Sequence, residues 1–112
     1  MRYSVLLAAL ATTIVLADDD FSFAVMDVFK ISGGDIDVVV TGRIEAGTVE
    51  VGDTVCLHAK NSDDRELTVG AIEFFKKQAT SAEAGDMVGI GFTGLSKDDV
   101  SKGDTVSASC DG

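Results

Sequence analysis

The chain has 112 residues, with 19 acidic side chains against 9 basic ones and a formal net charge of −10. That length fits one domain, not two. With 46% apolar residues it is not a disordered acidic tail, which lacks the apolar content to bury a core. The charge argues against nucleic acid as a partner, because attachment to the phosphate backbone needs a cationic surface.

The N-terminus reads as an address. Arg2 gives a short positive start, and Ser4 to Ala17 is an uncharged apolar run ending in Val15-Leu16-Ala17. Val at −3 and Ala at −1 form a small-residue cleavage pattern, so residues 1–17 have the layout of a secretory signal peptide. The run is shorter than the roughly 20 residues of a membrane span. An uncleaved anchor and a buried first helix are the alternatives, the helix being the poorer because the run shows no polar face. Asp18 to Asp20 then form an acidic stub before a domain over residues 21–110. Export to a periplasm or the cell exterior is therefore expected. Such a compartment lacks cytosolic levels of ATP and GTP, which weighs against a nucleotide-driven mechanism.

The rest of the chain alternates in the manner of strands. Phe21, Phe23, Val25, Phe29 and Ile31 fall on odd positions with Asp27 as the one polar break, which predicts a strand with one buried face. Ser32-Gly33-Gly34-Asp35 is a turn. Val38 to Ile44 is rich in β-branched residues and reads as a second strand closed by Ala46-Gly47. Val51, Val55 and Leu57 mark a third. Lys60 to Glu66 is a charged loop. Leu67 to Phe75, Met87 to Thr93 and Thr105 to Ser109 complete six strands.

Three strand starts share one signal: Gly52-Asp53-Thr54-Val55, Gly85-Asp86-Met87-Val88 and Gly103-Asp104-Thr105-Val106. Glycine supplies the turn backbone, aspartate can bond its own main chain, and valine starts the strand. One helical turn is expected at Thr80 to Ala84, capped by Thr80 with Glu83 at its third position and stopped by Gly85. Six short strands in so few residues favour an all-β closed barrel over an open sheet, since closure removes exposed edges.

Five segments in order carry a resemblance: DVFKISG (Asp27–Gly33), VVTGRIEAGTVEVGD (Val39–Asp53), TVGAIEFFKK (Thr68–Lys77), AEAGDMVGI (Ala82–Ile90) and GLSKDDVSKGD (Gly94–Asp104). Together they resemble the second domain of elongation factor Tu and related translational GTPases, over about Phe21 to Ser109. The resemblance implies a six-stranded Greek-key barrel that is not itself the enzyme. In those proteins a separate preceding domain hydrolyses GTP, and in elongation factor Tu the barrel helps hold the aminoacylated end of tRNA. This chain has no G-x-x-x-x-G-K-[ST] phosphate loop, so no GTP is expected. Its stretch from Ile31 to Val39 is about two residues longer than usual, with Asp35 and Asp37 added. By the same resemblance Glu73 matches an acidic position that contacts the terminal adenosine. Lys76 stands in place of arginine, Met87 in place of asparagine and Thr93 in place of arginine. Those exchanges remove a planar fork and an amide and weigh against inherited tRNA binding.

The remaining motifs carry little chemistry. Gly89-Ile90-Gly91-Phe92-Thr93-Gly94 has the letters of a dinucleotide fingerprint, but no helix follows to meet a pyrophosphate. It reads instead as a glycine-rich strand that lets another backbone come close. Cys56 and Cys110 can form an intramolecular disulfide, remain free, or bond between chains. A bridge would close a loop of about 55 residues and stabilise by roughly 4 kcal/mol. Strand parity opposes it unless the last residues leave the sheet: Cys56 should point away from the face of Val55 and Leu57, and Cys110 toward the face of Val106 and Ala108. Cys56 and His58 lie two apart and can offer two metal ligands, but zinc takes three or four, so neither metal nor cofactor is expected. No orienting group marks a Cys-His nucleophile, so no catalytic residue is assigned. The acidic pairs match no calcium loop.

Phe74, Phe75, Lys76 and Lys77 form the one aromatic-basic patch, with Glu73 beside it. Alternation buries one ring and exposes the other, and the exposed ring is the best ligand contact. The expected protein is thus an exported, non-catalytic barrel module that binds an unknown protein or small ligand, or another copy of itself. The alternative is a cytosolic, translation-related module that holds the tRNA acceptor end or a translation factor.

Overall fold

The computed structural model describes residues 20–75 and 77–111. The segment read as a signal peptide, most of the acidic stub and Lys76 lie outside the described residues. Nine strands follow in chain order: β1 (Ser22–Lys30), β2 (Val38–Ala46), β3 (Thr48–Glu50), β4 (Thr54–His58), β5 (Arg65–Phe74), β6 (Lys77–Ala79), β7 (Ser81–Glu83), β8 (Met87–Phe92) and β9 (Thr105–Ser107). Among the described residues one 3-10 turn is found, over Lys97–Asp99.

Six of the strands close a barrel in the order β4-β9-β1-β2-β8-β5, and β5 pairs back onto β4. Every pairing is antiparallel, and β2 is carried past β4 and β5 to lie beside β8, which is Greek-key order. Closure leaves the six barrel strands with no open edge to template another chain. The core is the inward row of each strand: Phe23, Val40, Ile44, Leu57, Ile72, Ile90, Phe92 and Val106 are essentially inaccessible to solvent.

Alternation holds in the first half of β1 and then breaks. Phe21, Phe23 and Val25 are buried as expected, but Phe29 is 48% and Ile31 39% exposed. The cause is a register shift between Val25 and Asp27, where Gly42 and Thr41 are consecutive partners on β2. Met26 is the extra residue of a β-bulge, and one inserted residue turns every later side chain to the other face. The expectation of buried Phe29 and Ile31 is therefore corrected.

The expected third strand is also divided. Val51 is 43% exposed because it sits in the turn between β3 and β4, not in a strand. The helical turn expected at Thr80 to Ala84 is the strand β7, paired with β3 through Val49 opposite Ala82. Both of those side chains are buried. So few residues cannot carry the cost of nucleating a helix, whereas pairing buries two apolar groups at the barrel's end.

The three Gly-Asp signals share one construction. Gly52, Gly85 and Gly103 have φ of 100°, 96° and 90°, the left-handed backbone that a tight turn needs at its third residue. Each aspartate then closes the turn twice. Asp53 N–H donates to the Glu50 carbonyl at 3.0 Å, while Asp53 Oδ2 accepts from Glu50 N–H at 2.9 Å. Asp86 does the same with Glu83, and Asp104 with Ser101. Asp104 is buried and also accepts from Lys60 N–H through Oδ1 at 3.2 Å, so it ties the loop after β4 to the start of β9.

Candidate functional site

The bulge in β1 determines what lies on the outer face of β1, β2, β8 and β5. Past Met26 the register sets Asp27, Thr41, Gly89 and Glu73 in one row across the four strands, and Phe29, Val39, Gly91 and Ala71 in the next. Without the extra residue Phe29 and Ile31 would point into the core. With it they project outward and form one wall of an apolar groove of about 500 Å³. Val39 and Thr41 line it, and Glu73, Phe75 and Met87 stand on the other side. Gly89 keeps the groove open: a Cβ there would meet Val39 Cγ1 at 3.0 Å. A second cleft, of about 600 Å³, is lined by Asp20, Asp53 and Glu83 among turn residues and is acidic.

Phe75 is the most conspicuous side chain of the groove. It is 91% exposed and has φ of 39°, although the left-handed region is unfavourable for a residue with a Cβ. The reason is local. Phe74 pairs with Lys77 across β5 and β6, so only two residues make the hairpin turn, and tight hairpins call for positive φ. A glycine or asparagine would suit the position better.

The residues expected from the sequence divide. Glu73 and Phe75 come together in the groove. Phe74 is half-buried and packs against the core, while the Phe75 ring is exposed. Lys77 is exposed in β6 and is not a groove residue. Lys76 lies outside the described residues. Phe29 and Ile31 were missed as site residues because sequence alternation assigns them to the core.

Thr93 has a structural task. Its hydroxyl donates to the Asp35 carbonyl at 2.7 Å, and Asp37 Oδ2 accepts from Gly94 N–H at 2.7 Å. The lengthened stretch between β1 and β2 is thus pinned to the end of β8. Its Ile36 side chain rests on the glycines: a Cβ at Gly91 would lie 2.9 Å from Ile36 Cγ2. The G-x-G-x-x-G letters serve close approach, as expected, but of a side chain rather than of a backbone.

On the far side of the barrel Cys56 and Cys110 form a disulfide with Cα atoms 5.1 Å apart. The parity objection is resolved after Ser107, where β9 ends. The chain then turns, with the Ser107 hydroxyl donating to the Ser109 carbonyl at 3.0 Å, and places Cys110 over the outward-pointing, buried Cys56. Beside them His58 Nδ1 lies 3.0 Å from Asp64 Oδ2, and Nε2 lies 2.7 Å from Ser107 Oγ. Sequence reading left His58 without an orienting group. Asp64 supplies one from the charged loop.

The described residues form a closed six-stranded antiparallel barrel with an apolar groove on its outer face. Residues 37–107 match the family model of elongation factor Tu domain 2. The chain belongs to that family.

Proposed function

We propose that the protein is a non-catalytic interaction module, exported to the periplasm or the cell exterior, that holds its partner in the groove over β1, β2, β5 and β8. The observation that carries this reading is the strained, exposed Phe75 facing the outward Phe29 and Ile31 across a glycine floor. Backbone strain and a contiguous apolar surface are kept where a partner uses them. A partner presenting a flat apolar end and a hydrogen-bond donor toward Glu73 suits the lining. A second copy of the chain is one such partner. Export is supported by the N-terminal pattern and by a disulfide, which persists in oxidising compartments.

A second reading is a cytosolic module for the tRNA acceptor end. It is favoured by Glu73, which lines the groove at the position matching the family's adenosine contact. It is opposed by the net charge of −10 and by Met87 where the family carries asparagine.

Fractionation with mass measurement of the isolated protein separates the two readings. The first expects a chain beginning near Asp18 in the exported fraction; an intact N-terminus in the cytosol overturns it. Affinity capture from that fraction is then run with wild-type and Phe29→Ser baits. Partners lost with the variant support the groove, and identical captured sets refute it.

A further inference from the structure

The outer face of β4 carries a cluster that the groove does not use. Cys56 Sγ, a ring nitrogen of His58 and a carboxylate oxygen of Asp64 lie within 4.8 Å of one another. Cys110 Sγ is bonded to Cys56 Sγ and stands beside that cluster. His58 Nδ1 faces the Asp64 carboxylate at 3.0 Å, which only accepts, so Nδ1–H donates to it. Nε2 lies 2.7 Å from Ser107 Oγ. A ligand at Nδ1 would take the place of that proton, and Nε2–H donating to Ser107 Oγ would then hold the ring from the nitrogen that does not ligate.

We propose that this cluster is a redox-gated zinc site: blocked while Cys56 and Cys110 are bridged, and completed by both thiolates, His58 Nδ1 and Asp64 once the bridge is reduced. In the oxidised protein each sulfur is bonded to the other, and the thiolate form that binds metals does not exist. A dithiol supplies two electrons and two protons. It becomes a disulfide, the Cys56–Cys110 bond breaks, and two thiols result. Zinc ion then displaces both thiol protons to solvent.

Zn–S bonds of about 2.3 Å and Zn–N or Zn–O bonds of about 2.0 Å set neighbouring donors of a tetrahedral site roughly 3.3–3.8 Å apart. Cys56, His58 and Asp64 span at most 4.8 Å, so ligation draws these donors together by about 1 Å, and reduction frees the two sulfurs to separate. Sulfur and imidazole donors favour zinc over the hard cations magnesium and calcium. Both states tie the segment after β9 to β4, one through a covalent bond and the other through an ion, so the barrel stays fastened in either redox condition.

The test uses the full chain, reduced anaerobically with dithiothreitol, desalted and titrated with zinc. Native mass spectrometry counts ions, and cobalt substitution reports thiolate ligation by charge-transfer absorption. One zinc per reduced chain is expected, none in the oxidised chain, and a rise in melting temperature of the reduced protein on adding zinc. His58→Ala and Asp64→Ala keep the disulfide in the oxidised state and should each weaken zinc binding by about tenfold or more. Three results overturn the proposal: a reduced folded chain that takes no ion, a reduced chain that stays unfolded when zinc is supplied, or equal affinity in wild type and both variants, which would leave a bare dithiol chelate.

Discussion

Single residues show most clearly where stability and function pull apart. Phe75 occupies a left-handed position that asparagine tolerates and phenylalanine does not. Its ring is almost wholly in solvent, so removing it forfeits little core packing. Phe75→Asn is therefore expected to raise the stability of the barrel by about 1 kcal/mol in denaturant unfolding while weakening partner capture. A variant that lost stability would show that the ring supports the fold. Asp99 is the opposite case, a side chain whose work is structural. Its Oδ2 accepts from Ser96 N–H at 2.9 Å and lies 3.3 Å from Arg65 Nη1. The backbone hydrogen bond from Ser96 holds its carboxyl below the ordinary value of 3.8, against a smaller opposing effect of desolvation and with further help from the Ser96 side chain and Arg65. Because the folded-state value is the lower one, the ionised group favours folding above pH 3.8, and that contribution disappears as pH falls through the lowered value. Asp99→Asn keeps an acceptor but loses the charge. Its melting temperature should lie below that of wild type at neutral pH and converge with it in acid. A gap that widened on acidification would refute the assignment.

At the scale of elements the bulge in β1 is the decisive feature. Gly42 lies opposite Val25, directly beside the shift, and a Cβ there would collide with the Ala24 carbonyl oxygen and approach the Phe23 ring at 3.0 Å. That backbone contact cannot be relieved by turning a side chain. Gly42→Ala is expected to cost about 3 kcal/mol and to disturb the outward placement of Phe29. Both effects can be followed by denaturant unfolding and by amide shifts in β1. A neutral substitution would mean that β1 and β2 are less closely apposed at the bulge. The bulge also explains what could be read from the sequence and what could not. The strands expected over Val38 to Ile44, Leu67 to Phe75 and Met87 to Thr93 lie close to their expected positions, as do the three Gly-Asp turns, because β-branched content and turn chemistry are local signals. The inserted Met26 has no local signature, because Phe29 and Ile31 continue the odd-numbered pattern into the region where pairing with β2 overrides it. Half of the groove was hidden for that reason. The strand β7 was missed for a related one: its pairing partner is β3, more than thirty positions earlier in the chain.

For the whole molecule the question is what the disulfide adds to a barrel that β4 and β5 already close. Hydrogen bonding completes the ring without it, and β9 is short, with three residues held between β1 and β4. Native domains are stable by only about 5–15 kcal/mol. A terminal strand of that length is the natural place for the ring to open. The Cys56–Cys110 bond spans 54 positions, and restricting a loop of that size in the unfolded chain corresponds to roughly 4 kcal/mol. The bond also reaches from the far side of β9 to its neighbour β4, so opening at β9 cannot spread to the segment beyond Ser107. A Cys56→Ala and Cys110→Ala double variant is thus expected to keep strand-dominated circular dichroism, since the core row is untouched, but to lose roughly 4 kcal/mol of unfolding free energy. Amide exchange should accelerate first in β9 and only later in β2 and β8. A uniform acceleration across all six barrel strands would instead make β9 and its covalent tether part of one cooperative unit with the core.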